Sequence, residues 1–158
     1  MGADLYIDSI SDGLKKKYEP MFNRFVKLRN EADKQGIKSL SDKYQEKVEK
    51  YYDLMYSEGY FRDSYNFTSV LNQLGLSWWR DISPKLDDKG FMSIPKIKWL
   101  LTKIKTQELK ILSPEVIKAG YAEGTVEEWQ KFFTEKRVRL IQFLEKAIEL
   151  KEPIRMSV

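Results

Sequence analysis

Residues 59–93, GYFRDSYNFTSVLNQLGLSWWRDISPKLDDKGFMS, decide how the chain is organised. They hold seven aromatic residues, two Arg-Asp dipeptides and the adjacent pair Trp78-Trp79. Apolar residues between Val70 and Ile82 recur at spacings of three and four, which is typical of one buried helix face. The pattern predicts one helix with an approach loop before it and an exit loop after it.

The residues around this helix refine the prediction. Residues 60–65 are expected to form a connector that leads into it. Gly75 falls on the apolar face, where the missing side chain would let a neighbouring backbone approach closely. Pro84 and the turn at Gly90 are expected to end the helix.

Helical periodicity continues outward from this stretch in both directions. The further apolar stripes cover residues 14–32, 44–55, 97–111 and 126–148. Asp12-Gly13 is expected to be a turn before the first of these helices. Thr125 and Glu128 form a capping box that begins the last one. A short helical turn is expected at residues 113–115.

Both ends of the chain are short and apolar. Residues 5–7 and 154–156 are extended in character, and we expect them to pair as a two-stranded ladder that rests on helices. A chain of 158 residues fits one substantial core, so a single domain over residues 1–158 is predicted. The fold class is all-α, an irregular bundle of about five main helices with short extended termini.

The composition restricts the chemistry that the chain can perform. It contains no cysteine, which excludes disulfides, zinc-thiolate sites and thiol nucleophiles. It contains no histidine, which removes the commonest general acid-base group and the commonest ligand of transition metals. Any enzyme would have to rely on carboxylates, Lys, Arg, Tyr or Ser. We therefore expect a protein that is not an enzyme and that needs no cofactor.

No targeting signal is expected in this sequence. Residues 1–10 lack the basic region, the apolar run and the cleavage site of a signal peptide. No stretch approaches the roughly 18 apolar residues that a membrane-spanning helix needs. The net charge is +4 and the pI is about 9.0, which is only mildly basic. A cytoplasmic protein without a membrane segment is predicted.

The turn at residues 87–93 resembles the middle of a calcium-binding EF-hand loop. If Gly90 takes the sixth position of such a loop, positions one, five and twelve fall on Lys85, Lys89 and Lys96. Calcium needs oxygen ligands, and EF-hand loops place them at those three positions. The turn is therefore interpreted as a connection between helices, and no metal site is expected.

Asp81 and Lys136 are candidates for a buried ion pair. Asp81 lies at the edge of the apolar stripe of its helix, and Lys136 falls within the apolar face of the last helix. A buried carboxylate or ammonium group needs a partner of opposite charge. The first interpretation is a structural ion pair in the core. The alternatives are a functional cleft with perturbed groups and a lysine that reaches out to solvent.

Two tryptophans are candidates for partner binding. Trp79 cannot share the buried helix face with the preceding tryptophan, because neighbouring residues point about 100° apart. Its ring either covers connector aromatics such as Tyr65 or anchors a partner. Trp99 points away from the apolar face of its helix, among Lys98 and Lys103. It either contacts a second layer of this chain or belongs to an interface.

The function expected first is a helical protein-interaction module, a small regulator or inhibitor whose partner is another protein. The alternative is a nucleic-acid-binding protein in which Trp99 stacks on a base while Lys96, Lys98 and Lys103 meet phosphates. Arg, the usual reader of bases, is absent from this helix. A third class is a small-ligand binder or an enzyme built on Asp81 and Lys136.

Overall fold

The computed structural model describes residues 2–66, 68–110 and 123–158. The α-helices are α1 (Asp8–Lys34), α2 (Lys38–Met55), α3 (Val70–Gln73), α4 (Ile94–Thr106) and α5 (Val126–Leu150). The strands are β1 (Gly2–Tyr6), β2 (Tyr60–Ser64), β3 (Phe91–Met92) and β4 (Ile154–Ser157). The chain is helix-rich as predicted, and the sheet is an addition that the all-α class did not include. The predicted turn at 113–115 lies outside the described residues.

The chain divides into two compact units. The first combines Met1–Tyr6 with Phe61–Val158, and the second is Ile7–Tyr60. The prediction of one domain over residues 1–158 stays a prediction. No helix among the described residues is both long enough and apolar enough to cross a membrane.

The second unit is a hairpin of α1 and α2. Tyr18 of α1 lies beside Tyr51 of α2, with ring centroids 6.3 Å apart, whereas Phe25 lies beside Tyr44 at 6.1 Å. The order of these pairs shows that the two helices run antiparallel. Gly36 in the connection between them has a φ of 68°, a conformation that glycine adopts without steric cost.

The start of α1 differs from the expected one. The predicted turn at Asp12-Gly13 lies inside α1, which begins at Asp8. Pro20 also lies within the helix. The Asp-Gly pair favours a turn only through a weak local preference. The apolar pattern of the long helix outweighs that preference.

The first unit contains a sheet whose described strands are ordered β2-β1-β4-β3. β1 and β4 are antiparallel, with Leu5 opposite Met156 and Tyr6 opposite Arg155. This register confirms the predicted pairing of the two chain ends. β3 extends the sheet beyond β4. Alternate residues of β1 and β4 are buried, so one face of the sheet lies against a core.

The expected connector at residues 60–65 is wrong, because Tyr60–Ser64 forms strand β2. Its inward side chains are those of Phe61 and Asp63, while Arg62 is exposed. A strand with a carboxylate on its inner face lacks the alternation of apolar and polar residues that marks a half-buried strand. The sequence pattern therefore did not reveal it.

The predicted helix at residues 70–82 is broken into separate pieces. α3 ends at Gln73, and Gly75 then adopts a φ of 75°. The predicted close approach of a backbone at Gly75 is wrong, since no neighbouring atom lies within 4 Å of the position its Cβ would take among the described residues. The chain continues as a π-helical turn, Trp78–Ile82, and a 3-10 turn, Ser83–Lys85.

α4 and α5 pack against each other and supply much of the buried surface of this unit. The buried residues of the two helices are Ile97, Leu100, Ile104, Phe133, Lys136, Leu140, Phe143, Leu144 and Ala147. The predicted capping box is present, with Thr125 and Glu128 exchanging hydrogen bonds at the start of α5. One member of this buried face, Lys136, is charged and therefore needs a partner.

Candidate functional site

The carboxylate of Asp63 is the centre of a buried polar cluster in the first unit. Asp63 is fully buried. Its oxygens receive five donors: to Oδ1 the Val70 amide (3.0 Å) and Lys136 Nζ (2.8 Å), and to Oδ2 Ser69 Oγ (2.8 Å), the Leu71 amide (3.4 Å) and Trp78 Nε1 (2.8 Å). A carboxylate can be buried when its lone pairs are met in this way.

Three local features of the sequence build this cluster. The alternation of β2 turns Asp63 inward. Ser69 is the N-cap of α3, and its hydroxyl donates to the carboxylate while its oxygen accepts from the helix backbone. Ser77 is the N-cap of the π-helical turn Trp78–Ile82, in which Trp78 is buried. Two segments that begin at serine caps therefore supply donors to one acid.

Lys136 is only 9% exposed, and its partner is Asp63. Asp63 takes the place that the sequence analysis assigned to Asp81. Asp63 was not predicted as the partner, because residues 60–65 were interpreted as a connector. The available signal was the spacing of Phe61 and Asp63, which puts both side chains on one face of a strand.

Asp81 lies in a different ion pair, formed with its neighbour Arg80. Nη2 of Arg80 lies 2.8 Å from Oδ2 of Asp81, and the amide of Ser77 donates to the same oxygen at 2.8 Å. The hydrogen bond from Arg80 is the largest of the causes that hold the pKa of Asp81 below its ordinary value. Asp81 and Lys136 therefore do not form a joint site.

Trp79 lies on the outer side of the turn that carries Trp78 inward. Trp79 is 60% exposed, whereas Trp78 is 1% exposed. The ring of Tyr65 lies beside that of Trp79, with the centroids 5.4 Å apart. Burial raises the pKa of the Tyr65 hydroxyl, and the charge of Asp4 adds to this effect. Tyr65 is one of the aromatics expected near Trp79, but it leaves most of the indole uncovered.

Trp99 is half-buried, and a lysine covers its ring. Nζ of Lys85 lies 4.2 Å from the ring centroid. The backbone oxygen of Lys85 in turn accepts a hydrogen bond from Nζ of Lys96 at 2.6 Å. Lys98 is exposed and Lys103 is half-buried. One face of Trp99 is thus already engaged by a cation from the same chain.

A surface cavity of about 310 Å³ opens beside the Asp63–Lys136 pair. β2 and α5 line it with Arg62, Asp63, Ser64, Phe132, Lys136 and Arg139. Arg62-Asp63 is one of the two Arg-Asp dipeptides of residues 59–93, but no sequence pattern placed Phe132 or Arg139 near it. That juxtaposition depends on how β2 lies against α5, which no local pattern encodes.

Within the described residues, no group of three or more Asp or Glu side chains is placed to hold a metal ion. Asp87 acts inside its own turn, where Oδ1 accepts from the amides of Lys89 at 2.9 Å and Phe91 at 2.8 Å. The hydrogen bond from Phe91 is the largest cause of the lowered pKa of Asp87. The carboxylate thus fixes the turn that leads into β3.

No family model, no curated protein and no solved structure matches this chain. The geometry of the first unit is therefore the basis for any functional inference. It offers an exposed indole at Trp79 and a cationic cavity beside Lys136.

Proposed function

We propose that the chain is a non-enzymatic protein-interaction module in which Trp79 anchors a partner protein. The observation that carries the proposal is the 60% exposure of this indole. Apolar surface that leaves water on binding contributes about 25 cal/mol per Å². Tryptophan is also enriched among the few residues that supply most of the binding energy at interfaces.

The support beneath Trp79 favours this role. The indole nitrogen of Trp78 is hydrogen-bonded to Asp63 at 2.8 Å, which fixes the turn from the inside. Tyr65 flanks the exposed ring on one side. A side chain that is held in place before association loses less conformational entropy when the partner binds.

The other candidate anchor, Trp99, receives less support from the geometry. Lys85 lies over its ring, so a base or an apolar partner would have to displace that ammonium group. The nucleic-acid alternative depends on stacking at Trp99 with help from Lys98 and Lys103. Nucleic-acid binding is therefore the alternative result that the test below can distinguish from protein binding.

The buried pair of Asp63 and Lys136 supports the non-enzymatic part of the proposal. Asp63 is fully buried and accepts hydrogen bonds on both oxygens, so it is a poor general base for a substrate in solvent. Lys136 is held in a salt bridge with it. The chain also has no histidine to act as a general base and no cysteine thiol to act as a nucleophile.

The test compares partner capture by three proteins: the wild type, Trp79→Ala and Val138→Ala. Val138 is a matched control, because it is another exposed large apolar residue of the first unit. Proteins retained from an extract of the source organism are quantified by mass spectrometry. We expect at least one protein to be retained by the wild type and by Val138→Ala and to be lost with Trp79→Ala.

Two results would overturn the proposal. In the first, Trp79→Ala retains the same proteins in the same amounts as the wild type. In the second, the wild type shifts a labelled oligonucleotide at low salt and Trp99→Ala abolishes that shift, while no protein depends on Trp79. The second result would assign the chain to nucleic-acid binding.

A further inference from the structure

The cavity between β2 and α5 is lined by three cationic side chains, Arg62, Lys136 and Arg139, and by the carboxylate of Asp63. Among the described residues, Arg139 forms no salt bridge and no side-chain hydrogen bond, and its side chain is exposed. A guanidinium group in this situation remains able to bind an anion.

The one acid among these lining residues, Asp63, pairs with Lys136 and does not compensate the charge of Arg139. Both oxygens of Asp63 accept donors from its own unit, including the Ser69 hydroxyl and the Trp78 indole. The carboxylate is fully buried beneath the cavity. The oxygens of Asp63 are thus engaged by these donors and by Lys136 rather than by Arg139.

Lys136 and Phe132 complete the lining. An ammonium group has three N–H donors, and the salt bridge to Asp63 uses one of them. Nζ of Lys136 lies 5.3 Å from the centroid of the Phe132 ring. Phe132 is 38% exposed, so its ring forms an apolar wall next to the cationic groups.

We infer that this cavity binds a small organic anion, with a carboxylate or phosphate group at Arg139 and Lys136 and an apolar part against Phe132. A guanidinium group pairs with the oxygens of either anion in a bidentate manner. The volume of about 310 Å³ lies at the lower end of the range for small-ligand pockets. The inference is independent of the Trp79 surface and would stand without it.

The test uses benzoate and phenyl phosphate as probes, with the neutral analogue benzamide as a control. Each is titrated into the 15N-labelled full chain while backbone amide shifts are followed by NMR. We expect saturable shifts at Ser64, Phe132 and Arg139 with the two anions. Benzamide should cause none, because it lacks the charge that the cavity recognises. The anion that binds more tightly identifies the class of the natural ligand.

Matched variants separate the site from general attraction between charges. Arg139→Gln should weaken binding roughly tenfold or more, because it removes the bidentate partner. Lys131→Gln removes the same charge elsewhere on α5, from a residue that does not line the cavity, and should change the affinity by less than about twofold. Arg139→Lys keeps the charge without the planar fork and should give an intermediate affinity.

Three outcomes would overturn the inference. The first is the absence of saturable shifts with either anion at millimolar concentration. The second is an equal loss of affinity in Lys131→Gln and Arg139→Gln, which would indicate non-specific attraction. The third is equal binding of benzamide, which would show that the anion plays no part.

Discussion

Nζ of Lys136 lies 2.8 Å from Oδ1 of Asp63, and this pair joins the middle of α5 to strand β2 in the core of the first unit. Asp63 also binds the indole of Trp78, so the same carboxylate fixes the turn that exposes Trp79. The buried acid is therefore a structural support for the proposed binding surface.

The two members of this ion pair should differ in their contribution to stability. Asp63→Ala leaves Lys136 and several amide and indole donors buried without an acceptor, and we expect a loss of about 3–5 kcal/mol in the free energy of unfolding. Lys136→Met leaves the carboxylate with its remaining donors. The expected loss is then about 1–3 kcal/mol.

Urea denaturation followed by circular dichroism measures both losses. Asp63→Asn serves as a control for shape, because it retains one acceptor oxygen at the same place. If Lys136→Met destabilises the chain as much as Asp63→Ala, the carboxylate is not the centre of the cluster.

The same substitution, Trp to Phe, should lower the stability much more at position 78 than at position 79. Trp78→Phe keeps an aromatic ring in the core but removes the donor to Asp63, which should destabilise the chain by about 1–3 kcal/mol. Trp79→Phe changes an exposed side chain, and the effect should stay within about 0.5 kcal/mol. Thermal and urea unfolding of both variants test this contrast. Equal losses would show that Trp79 is part of the core.

The pKa of Asp81 should depend on Arg80. Arg80→Gln removes the largest cause of the lowered pKa, so the value should rise toward the ordinary one. The rise should be incomplete, because the amide of Ser77 and the charge of Lys85 remain. Titration of the Asp81 carboxyl carbon by NMR measures the change, with the exposed Arg24→Gln as a control. An unchanged value would contradict the assigned cause.

The sign of the associated pH effect follows from the lowered pKa. A carboxyl group whose pKa is lower in the folded state stabilises the fold above its unfolded-state pKa of about 3.9. This contribution is lost as the pH falls through the folded-state pKa of Asp81. The stability difference between the wild type and Arg80→Gln should therefore be present at neutral pH and vanish in strong acid.

The capping box at the start of α5 should have a measurable effect. Thr125→Ala removes the hydroxyl oxygen that accepts from the Glu128 amide at 3.2 Å. The expected loss is about 1 kcal/mol, and Thr125→Ser should retain most of the stability. Amide hydrogen exchange in the first turn of α5 checks that the effect is local. Unchanged exchange in Thr125→Ala would contradict the role of the cap.

Helical periodicity and capping predicted much of the fold. The stripe that ends in Ile148 and the Thr125 capping box identified α5, and the apolar chain ends predicted the pairing of β1 and β4. These features follow from local spacing, which a sequence displays directly.

Sequence patterns did not predict the features that depend on contacts between residues far apart in the chain. β2 was not predicted, because the charge of its inward Asp63 is paired with Lys136, seventy-three positions later in the chain. The break after α3 was missed because Gly75 was taken as a packing residue rather than as a terminator. Arg139 and Phe132 join the cavity only through tertiary packing, so no local spacing pointed to them.

The most direct test of the proposed interaction places a photo-crosslinking amino acid at position 79 and, in a parallel protein, at position 138. Illumination in an extract of the source organism should yield a crosslink to one protein from position 79 only. Excess unlabelled wild type should suppress that product, whereas excess Trp79→Ala should not. Equal crosslinking from both positions, or equal suppression by both competitors, would contradict the claim that Trp79 is the anchor.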